Sequence, residues 1–278
     1  MTQVSRLSIG ILGLGQIGGS IATRLSTNPE HPTIIGYDLV PDLCASALQN
    51  RIVTRIAASE TELVAASDVV IIALPIGEII NFLKKRQHEL SGKVAVMDTG
   101  SVKTAVIKAA DELRLVNFVG GHPMAGTERH GAASWNPRLF EAANFFLSSS
   151  HRTSAGALDT AQEVVRLLGA TPIHIDPDRH DRLLALTSNL AHVIAYAMTS
   201  TCRDCPDGII VKSLFRSPSF LGATRVADSD PEMVFHMLWH NRTHLSPALA
   251  ALLRQLLSVQ KAIDGNDSAA LRKFLNNT

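Results

Sequence analysis

Three glycines near the N-terminus have the spacing of a dinucleotide-binding turn. Gly13, Gly15 and Gly18 follow an apolar run that predicts a strand, and they precede the apolar periodicity of a helix. In such a turn the first glycine permits a sharp bend, the second lets the backbone approach a pyrophosphate, and the third lets helix and strand pack closely. The amides of Gln16 and Ile17, at the start of the helix, would then bind the phosphates.

Asp38 supports this interpretation and indicates which dinucleotide is bound. It ends the second apolar run, 20 residues after Gly18, where a carboxylate can accept hydrogen bonds from both hydroxyls of an adenine ribose. The same charge would repel a 2′-phosphate, so the sequence predicts NAD and makes NADP the less favoured cofactor. Asp38 also precedes Pro41 closely enough to be an ordinary turn residue, which is the alternative. Leu74 and Pro75 follow another strand end, and we expect them to border the nicotinamide.

Two further strand ends carry polar groups that could act on a small molecule. Ser101 follows the strand that ends at Asp98, and His122, Thr127 and Glu128 belong to the end of the next strand and its loop. Ligands bind outside the carboxyl ends of the strands in open α/β sheets, so both loops should open on one cleft. A histidine there suits general-base catalysis, because its usual pKa of about 6.5 leaves it neutral near pH 7. The plainer role for Ser101 is to cap the following helix.

Alternating apolar runs and helical patterns must position these residues. From Leu7 to Ile175 this alternation is typical of βαβ units, which predicts a Rossmann-type α/β domain over residues 1–176. After residue 176 apolar residues recur at three- and four-residue intervals, which predicts an all-α domain over residues 177–278. The predicted strands are Leu7–Leu12, Thr33–Tyr37, Val69–Ala73, Val94–Asp98, Asn117–Gly120, Asn144–Leu147 and Pro172–Ile175.

A helix predicted from Asp181 to Thr201 has two contrasting faces. Leu183 and Leu186 belong to an apolar stripe. Small and polar residues form another face, namely Asp181, Ala185, Ser188 and His192. Burying such polar groups in a dry core would be costly, so this face is expected to line a polar cleft. A solvated face is the alternative.

Composition and charge argue against several classes of partner. The formal net charge of +1 and the pI near 7.9 provide no broad field for nucleic acid or for an anionic membrane. The longest apolar stretch, Val69–Ile80, includes Pro75 and is shorter than the roughly 20 residues needed to cross a bilayer. The 3 cysteines are too few for a disulfide framework. We therefore expect a cytoplasmic protein that acts on a small molecule and binds neither nucleic acid nor membrane.

Two motifs resemble redox and metal sites but lack the surroundings that such sites need. Cys202 and Cys205 have the spacing of a redox pair, yet they follow a long helical pattern instead of lying in a strand-to-helix turn. His236, His240 and His244 would share one helix face, but no cysteine or carboxylate pattern completes a metal site there. The sequence predicts no metal centre.

The two polar loops resemble the prephenate/arogenate (cyclohexadienyl) dehydrogenase family. An Asp-x-x-Ser-Val-Lys motif begins at Asp98, and a Gly-His-Pro-Met-Ala-Gly-Thr-Glu motif spans residues 121–128. The likeness continues through residues 180–181, 187–192 and 224–231, so it spans nearly the whole chain. The resemblance implies a Rossmann-type domain followed by a helical domain that forms a homodimer. It also implies NAD-dependent oxidative decarboxylation of prephenate to 4-hydroxyphenylpyruvate, or of arogenate to tyrosine.

The resemblance also implies roles for particular residues. His122 would accept the proton of the substrate's ring hydroxyl as hydride leaves the same carbon, and Ser101 would orient that pair. Arg225 would bind the ring carboxylate, for which its planar fork of donors is well matched. An ordinary surface cation is the alternative for Arg225. His192 would contact the other end of the substrate. Thr127 and Glu128 would line the same pocket.

One departure and two alternatives qualify this reading. Where the family commonly has Ser-His-Leu-Pro-His, this chain has Asn189 in place of the first histidine, and an amide cannot become cationic. A different two-domain dehydrogenase, of the β-hydroxyacid or imine reductase type, is the nearest enzymatic alternative. A catalytically silent dinucleotide sensor is the other, but it would have no reason to keep both His122 and Arg225.

Overall fold

The chain folds as two compact units in a computed structural model that describes residues 4–28, 32–127, 129–207, 215 and 217–276. The first unit comprises Met1–Asp181 with Ser229–His240, and the second comprises Arg182–Asp228 with Asn241–Thr278. These units are defined by packing, and the segment Ser229–His240 packs with the first. The single division at residue 176 stays a prediction for the two domains.

A mixed, mainly parallel sheet of eight strands forms the centre of the first unit. The strands are β1 Ser8–Leu12, β2 Thr33–Tyr37, β3 Arg55–Ile56, β4 Val69–Ile72, β5 Ala95–Asp98, β6 Phe118–Pro123, β7 Asn144–Ser148 and β8 Thr171–His174. Their order is β3-β2-β1-β4-β5-β6-β7-β8, and every neighbouring pair is parallel except β6 with β7. The predicted α/β class is confirmed, while the two-residue strand β3 was not predicted.

Helices connect the strands of this sheet. They are α1 Gln16–Ser26, α2 Pro41–Gln49, α3 Glu60–Ala65, α4 Ile76–Lys85, α5 Gln87–Ser91, α6 Thr104–Glu112 and α7 Ala155–Leu167. Strand β4, at the centre of the sheet, is apolar along its whole length, and all four of its residues are buried. A parallel strand covered on both faces needs such a continuous apolar run.

The chain leaves the sheet through one long helical run. This run consists of α8 Pro177–Leu184, a π-helical turn Ala185–Asn189 and α9 Leu190–Arg203. It is long and apolar enough, by length and composition alone, to cross a membrane, a test that the core helix of a soluble protein also passes. The remaining helices are α10 Pro218–Thr224, α11 Pro231–His240, α12 Arg242–Asp264 and α13 Ser268–Asn276.

Burial along this run differs from the helical pattern predicted for it. Asp181 and Ala185, on the predicted polar face, are buried, whereas Leu183 and Leu186 of the apolar stripe are 44% and 53% exposed. Helix α12 likewise leaves large apolar side chains in solvent, and Leu257 is 61% exposed. Apolar surface of this kind marks a face that another molecule can cover.

Candidate active site

The glycine turn between β1 and α1 has the shape of a phosphate cradle. Gly13 has φ +90°, and a Cβ added to it would lie 2.3 Å from the carbonyl oxygen of Ala73. A Cβ at Gly18 would lie 1.9 Å from the carbonyl oxygen of Gly13, so helix and turn can approach only without side chains. A Cβ at Gly15 would meet nothing within 4 Å, which leaves open space above the start of α1. These features fit a bound pyrophosphate.

Asp38 follows β2 directly and is tied to the same turn. Its carboxylate accepts hydrogen bonds from the amide of Leu14 at 2.7 Å and from the amide of Val40 at 2.8 Å. These two bonds hold a half-buried carboxylate beside the glycine turn, where a ribose would lie. Leu39, the next residue, is 83% exposed and carries no charge.

The loop after β4 lies against the glycine turn. Leu74 is half-buried, and its Cδ2 atom is 3.0 Å from the position that a Cβ on Gly13 would take. Pro75 is the N-cap residue of α4. The structure therefore brings Leu74 next to the predicted cofactor site.

Gln16 links the cofactor turn to the loop that follows β6. Its side-chain amide donates to the hydroxyl of Thr127 at 2.6 Å and to the carbonyl oxygen of Arg129 at 3.1 Å, and its side-chain carbonyl accepts from the amide of Thr127 at 2.7 Å. The predicted cofactor residue and the predicted substrate residue are thus direct partners. Glu128, which lies between Thr127 and Arg129 in the sequence, is outside the described residues.

His122 lies near the end of β6 in a chain of three hydrogen-bonded side chains. Its Nδ1 is 2.9 Å from Nε2 of His180, and Nδ1 of His180 is 2.8 Å from Oδ1 of Asp181. His180 and Asp181 are buried in α8, while His122 is half-buried. Phe146 of β7 packs edge-on against the ring of His180. Removal from water, with smaller contributions from His180 and Lys103, holds the pKa of His122 well below its usual value.

An ion pair lies fully buried beside this chain. The ammonium group of Lys103 binds the carboxylate of Asp98 and donates to the carbonyl oxygen of Gly121 at 2.6 Å. The other Asp98 oxygen accepts from the amide of Gly121 at 3.1 Å. Burial raises the pKa of Asp98 and lowers that of Lys103, and their mutual attraction opposes both shifts. The pair therefore fixes the backbone immediately before His122.

Ser101 lies half-buried in the loop between β5 and α6, two residues before the buried Lys103. The N-cap residue of α6 is Lys103, so the predicted alternative of a capping serine is wrong for this helix. Asp181 takes the capping role instead, because its oxygens accept from the amides of Lys103 and Thr104, each at 2.8 Å.

Within the second unit, two predicted substrate residues lie on neighbouring elements. His192 is half-buried on α9, and its Nδ1 is 3.0 Å from the carbonyl oxygen of Ser188 in the π-helical turn. Arg225 is exposed at the start of a 3-10 turn, Arg225–Asp228, that packs on α9. Asn189 is buried and accepts a 2.6 Å hydrogen bond from Asn241. Position 189, where the family commonly has a histidine, therefore holds a buried amide that is hydrogen-bonded to a second amide.

The cysteine pair and the histidine series, which the sequence did not predict to be redox or metal sites, make local contacts in the structure. Cys205 donates to the carbonyl oxygen of Cys202 at 3.1 Å, and both thiols are free and half-buried. The rings of His236 and His240 stack with centroids 5.9 Å apart. Among the residues that the structure describes, no group of histidines, cysteines and carboxylates has the arrangement of a metal site.

No catalytic or binding role was predicted from the sequence for four residues around His122. They are Asp98, Lys103, His180 and Asp181. All four lie in segments that resemble the dehydrogenase family, and Asp98 ends a strand. The position of Asp98 at a strand end could have identified it as a site residue. His180 is 58 residues from His122, and only the packing of α8 brings the two rings together.

Comparison with known proteins matches both halves of the chain. Residues 21–174 match the family described as prephenate dehydrogenase, nucleotide-binding domain. Residues 176–277 match the family described as prephenate dehydrogenase, dimerization domain. The chain is similar to prephenate dehydrogenase of Bacillus subtilis, with 27% identity over 96% of this chain and 73% of that protein.

Two solved structures are similar over almost the whole chain. One is prephenate dehydrogenase from A. aeolicus in complex with hydroxyphenyl propionate and NAD+, with a TM-score of 0.89, 26% identity and coverage of 99% of this chain and 97% of that one. The other is Synechocystis arogenate dehydrogenase, with a TM-score of 0.79, 28% identity and coverage of 98% and 97%.

Proposed function

The chain belongs to the prephenate dehydrogenase family, and from that membership we propose that it converts prephenate to 4-hydroxyphenylpyruvate or arogenate to tyrosine. It is an oxidoreductase of tyrosine biosynthesis. The observation that carries the proposal is His122, a half-buried ring at the end of β6 whose Nδ1 is 2.9 Å from His180. Its lowered pKa keeps the ring neutral near pH 7, as a general base requires.

His122 accepts the hydroxyl proton in the proposed reaction. As hydride leaves the ring carbon, the O–H bond breaks toward the imidazole and the carbon–oxygen double bond forms. The bond to the ring carboxylate then breaks, its electron pair aromatises the ring, and the oxygen takes the proton back from His122. Carbon dioxide is released, and atoms and charge balance. Ser101 orients the hydroxyl toward the base.

The glycine turn, with Gln16 and Ile17 at the start of α1, holds the dinucleotide, and Leu74 and Pro75 border the nicotinamide. NAD supplies the hydride acceptor when bound. Preference for NAD over NADP rests on Asp38, which the amides of Leu14 and Val40 hold in place, and on the absence of a cation at residues 39–40. A carboxylate there repels a 2′-phosphate.

Substrate recognition is assigned to Arg225, His192, Thr127 and Glu128. Arg225 binds the ring carboxylate, since a guanidinium offers two parallel hydrogen bonds to a carboxylate. His192 contacts the side chain of the substrate, and Thr127 and Glu128 line the pocket. The charge that separates a keto acid from an amino acid lies on that side chain.

A cytoplasmic homodimer is the proposed assembly. The second half of the chain matches a dimerization domain, and α12 exposes Leu253, Leu256 and Leu257 by 50%, 54% and 61%. Covering these side chains removes apolar surface from water. Sedimentation at micromolar concentration is expected to give about twice the chain mass of 29.9 kDa, and a stable monomer would contradict the assembly.

Steady-state assays with prephenate and arogenate, each with NAD and NADP, test the function. NADH formation and carbon dioxide release should appear together in equal amounts with at least one substrate, and NAD should give the higher kcat/KM. Folded protein that turns over neither substrate would refute the proposal.

A further inference from the structure

We propose that Asp181 and His180 are positioning residues that set the tautomer of His122, holding its proton on Nδ1 and leaving Nε2 bare to accept the substrate's proton. The inference rests on the proposed role of His122 and extends it to two residues without an assigned role. It follows from the donor and acceptor capacity of each atom in the chain.

The series of hydrogen-bonded side chains begins at the carboxylate of Asp181, which accepts hydrogen bonds from its neighbours. Oδ1 of Asp181 accepts from the amide of Lys103 at 2.8 Å and lies 2.8 Å from Nδ1 of His180, and Oδ2 accepts from the amide of Thr104 at 2.8 Å. Burial favours the neutral acid, but the bonds from His180, Lys103 and Thr104 outweigh it and hold the pKa of Asp181 below its usual value. Asp181 is therefore an anion that can only accept.

Each further proton position follows from the one before it. A neutral imidazole has one N–H and one lone pair. With both rings neutral, His180 places its N–H on Nδ1, toward Asp181, so its Nε2 has the lone pair. His122 must then place its N–H on Nδ1, toward His180, so its own Nε2 is bare. Within the part of the chain that the structure describes, Nε2 of His122 makes no hydrogen bond.

The arrangement suits a base that must first be neutral and then carry charge. The titratable groups around His122 are His180, Asp181, Lys103 and Asp98. Before the reaction, burial and the positive charge of Lys103 oppose protonation of the His122 ring. When Nε2 accepts the proton, the imidazolium keeps its bond to His180, whose other nitrogen faces the Asp181 carboxylate. In a Ser-His-Asp triad, a carboxylate bonded directly to the base orients the imidazole and stabilises the imidazolium without taking the proton. Here Asp181 acts on His122 through His180.

Two substitutions of His180 separate hydrogen bonding from packing. His180→Leu keeps an apolar side chain against Phe146 but removes both hydrogen bonds. His180→Gln offers an acceptor toward His122 and a donor toward Asp181 from one amide. We expect His180→Leu to lower kcat about 100-fold or more, with KM and the Kd for NAD within about 3-fold, and His180→Gln to recover at least 10-fold of that loss.

The tautomer itself is measured by 15N NMR of histidine-labelled protein at neutral pH. The chain has 11 histidines, and the His122→Asn variant identifies the signal of His122. The expected result is a protonated Nδ1 and a bare Nε2 in the unmodified protein, and a shift of the proton toward Nε2 in His180→Leu. Because the first spectrum needs no variant of His180, it is informative even if His180→Leu does not fold.

The outcomes separate this inference from the proposed function. A proton on Nε2 of His122 in the unmodified protein would overturn the inference, as would a folded His180→Leu with unchanged kcat and unchanged tautomer. If the tautomer is as expected but neither substrate is turned over, the proposed function fails. The inference that Asp181 and His180 set the tautomer of His122 would still hold.

Discussion

The two units hold their polar residues in different ways. In the first, Asp98, Lys103, His180 and Asp181 are buried, and each is hydrogen-bonded to its neighbours around His122. In the second, Arg225 is exposed on a short turn. Leucines on α12 are exposed as well. The first unit thus holds His122 with buried polar groups of its own core, whereas the second leaves Arg225 and several leucines exposed.

Replacing the base should produce the largest change. His122→Asn is expected to lower kcat by a factor of about 100 to 10,000, because a positioned base contributes that much. The Kd for NAD should stay near that of the unmodified protein, measured by fluorescence titration. His88→Asn, an exposed histidine on α5, is the matched control and should leave kcat unchanged. Near-normal kcat in a folded His122→Asn would remove the central claim.

Breaking the buried ion pair tests whether the core of the first unit supports the base. Lys103→Met leaves the carboxylate of Asp98 buried without its partner, and we expect a loss of about 3–5 kcal/mol in the free energy of unfolding. Lys108→Met, on helix α6, removes a 75% exposed partner of Glu112 and should cost less than about 1 kcal/mol. Denaturant titration measures both.

A second substitution sharpens that result. Adding Asp98→Asn to Lys103→Met removes the uncompensated charge, so the double variant should recover part of the lost stability. If Lys103→Met and Lys108→Met lose the same free energy of unfolding, the buried ion pair contributes no more to stability than the exposed one.

Arg225→Ala should affect binding more than the chemical step. Loss of a charge-assisted contact to a carboxylate costs on the order of 2–3 kcal/mol, which raises KM roughly 30- to 150-fold with a smaller change in kcat. Arg203→Ala, an exposed arginine at the end of α9, is the control. A drop in kcat at unchanged KM would place Arg225 with the reacting groups and not with substrate binding.

Asp38→Ser should narrow the preference for NAD by about 10-fold in the ratio of kcat/KM values, because it removes charged acceptors for the ribose. Asp38 also accepts from the amides of Leu14 and Val40, so a thermal melt must accompany the assay. An unmodified enzyme that prefers NADP would show the assignment of Asp38 to be wrong.

The pH profile should show the smallest effect. Burial lowers the pKa of His122 below its usual value of 6.5, so the ring stays neutral as the pH falls through 6.5. Activity is therefore expected to remain level there and to decline only at lower pH, where the base becomes protonated. An acid limb of kcat/KM centred above 6.5 would contradict this direction.

Local patterns predicted much of the first unit. The spacing of Gly13, Gly15 and Gly18 after an apolar run predicted the strand, turn and helix found there, and the apolar run of β4 predicted a buried strand. These elements are local in sequence, so spacing and periodicity were sufficient to predict them, whereas cofactor binding by the glycines and Asp38 stays a prediction. The roles of His122 and Arg225 came from the family resemblance and stay predictions.

Tertiary structure alone decided which side chains meet. Gln16 reaches Thr127 across 111 residues, and His122 reaches His180 across 58, so no local pattern records either contact. The exposure of Leu183, on a stripe that periodicity identified, likewise depends on what packs against the helix. Periodicity determines which residues share a helix face, but only the docking of whole elements determines what that face touches.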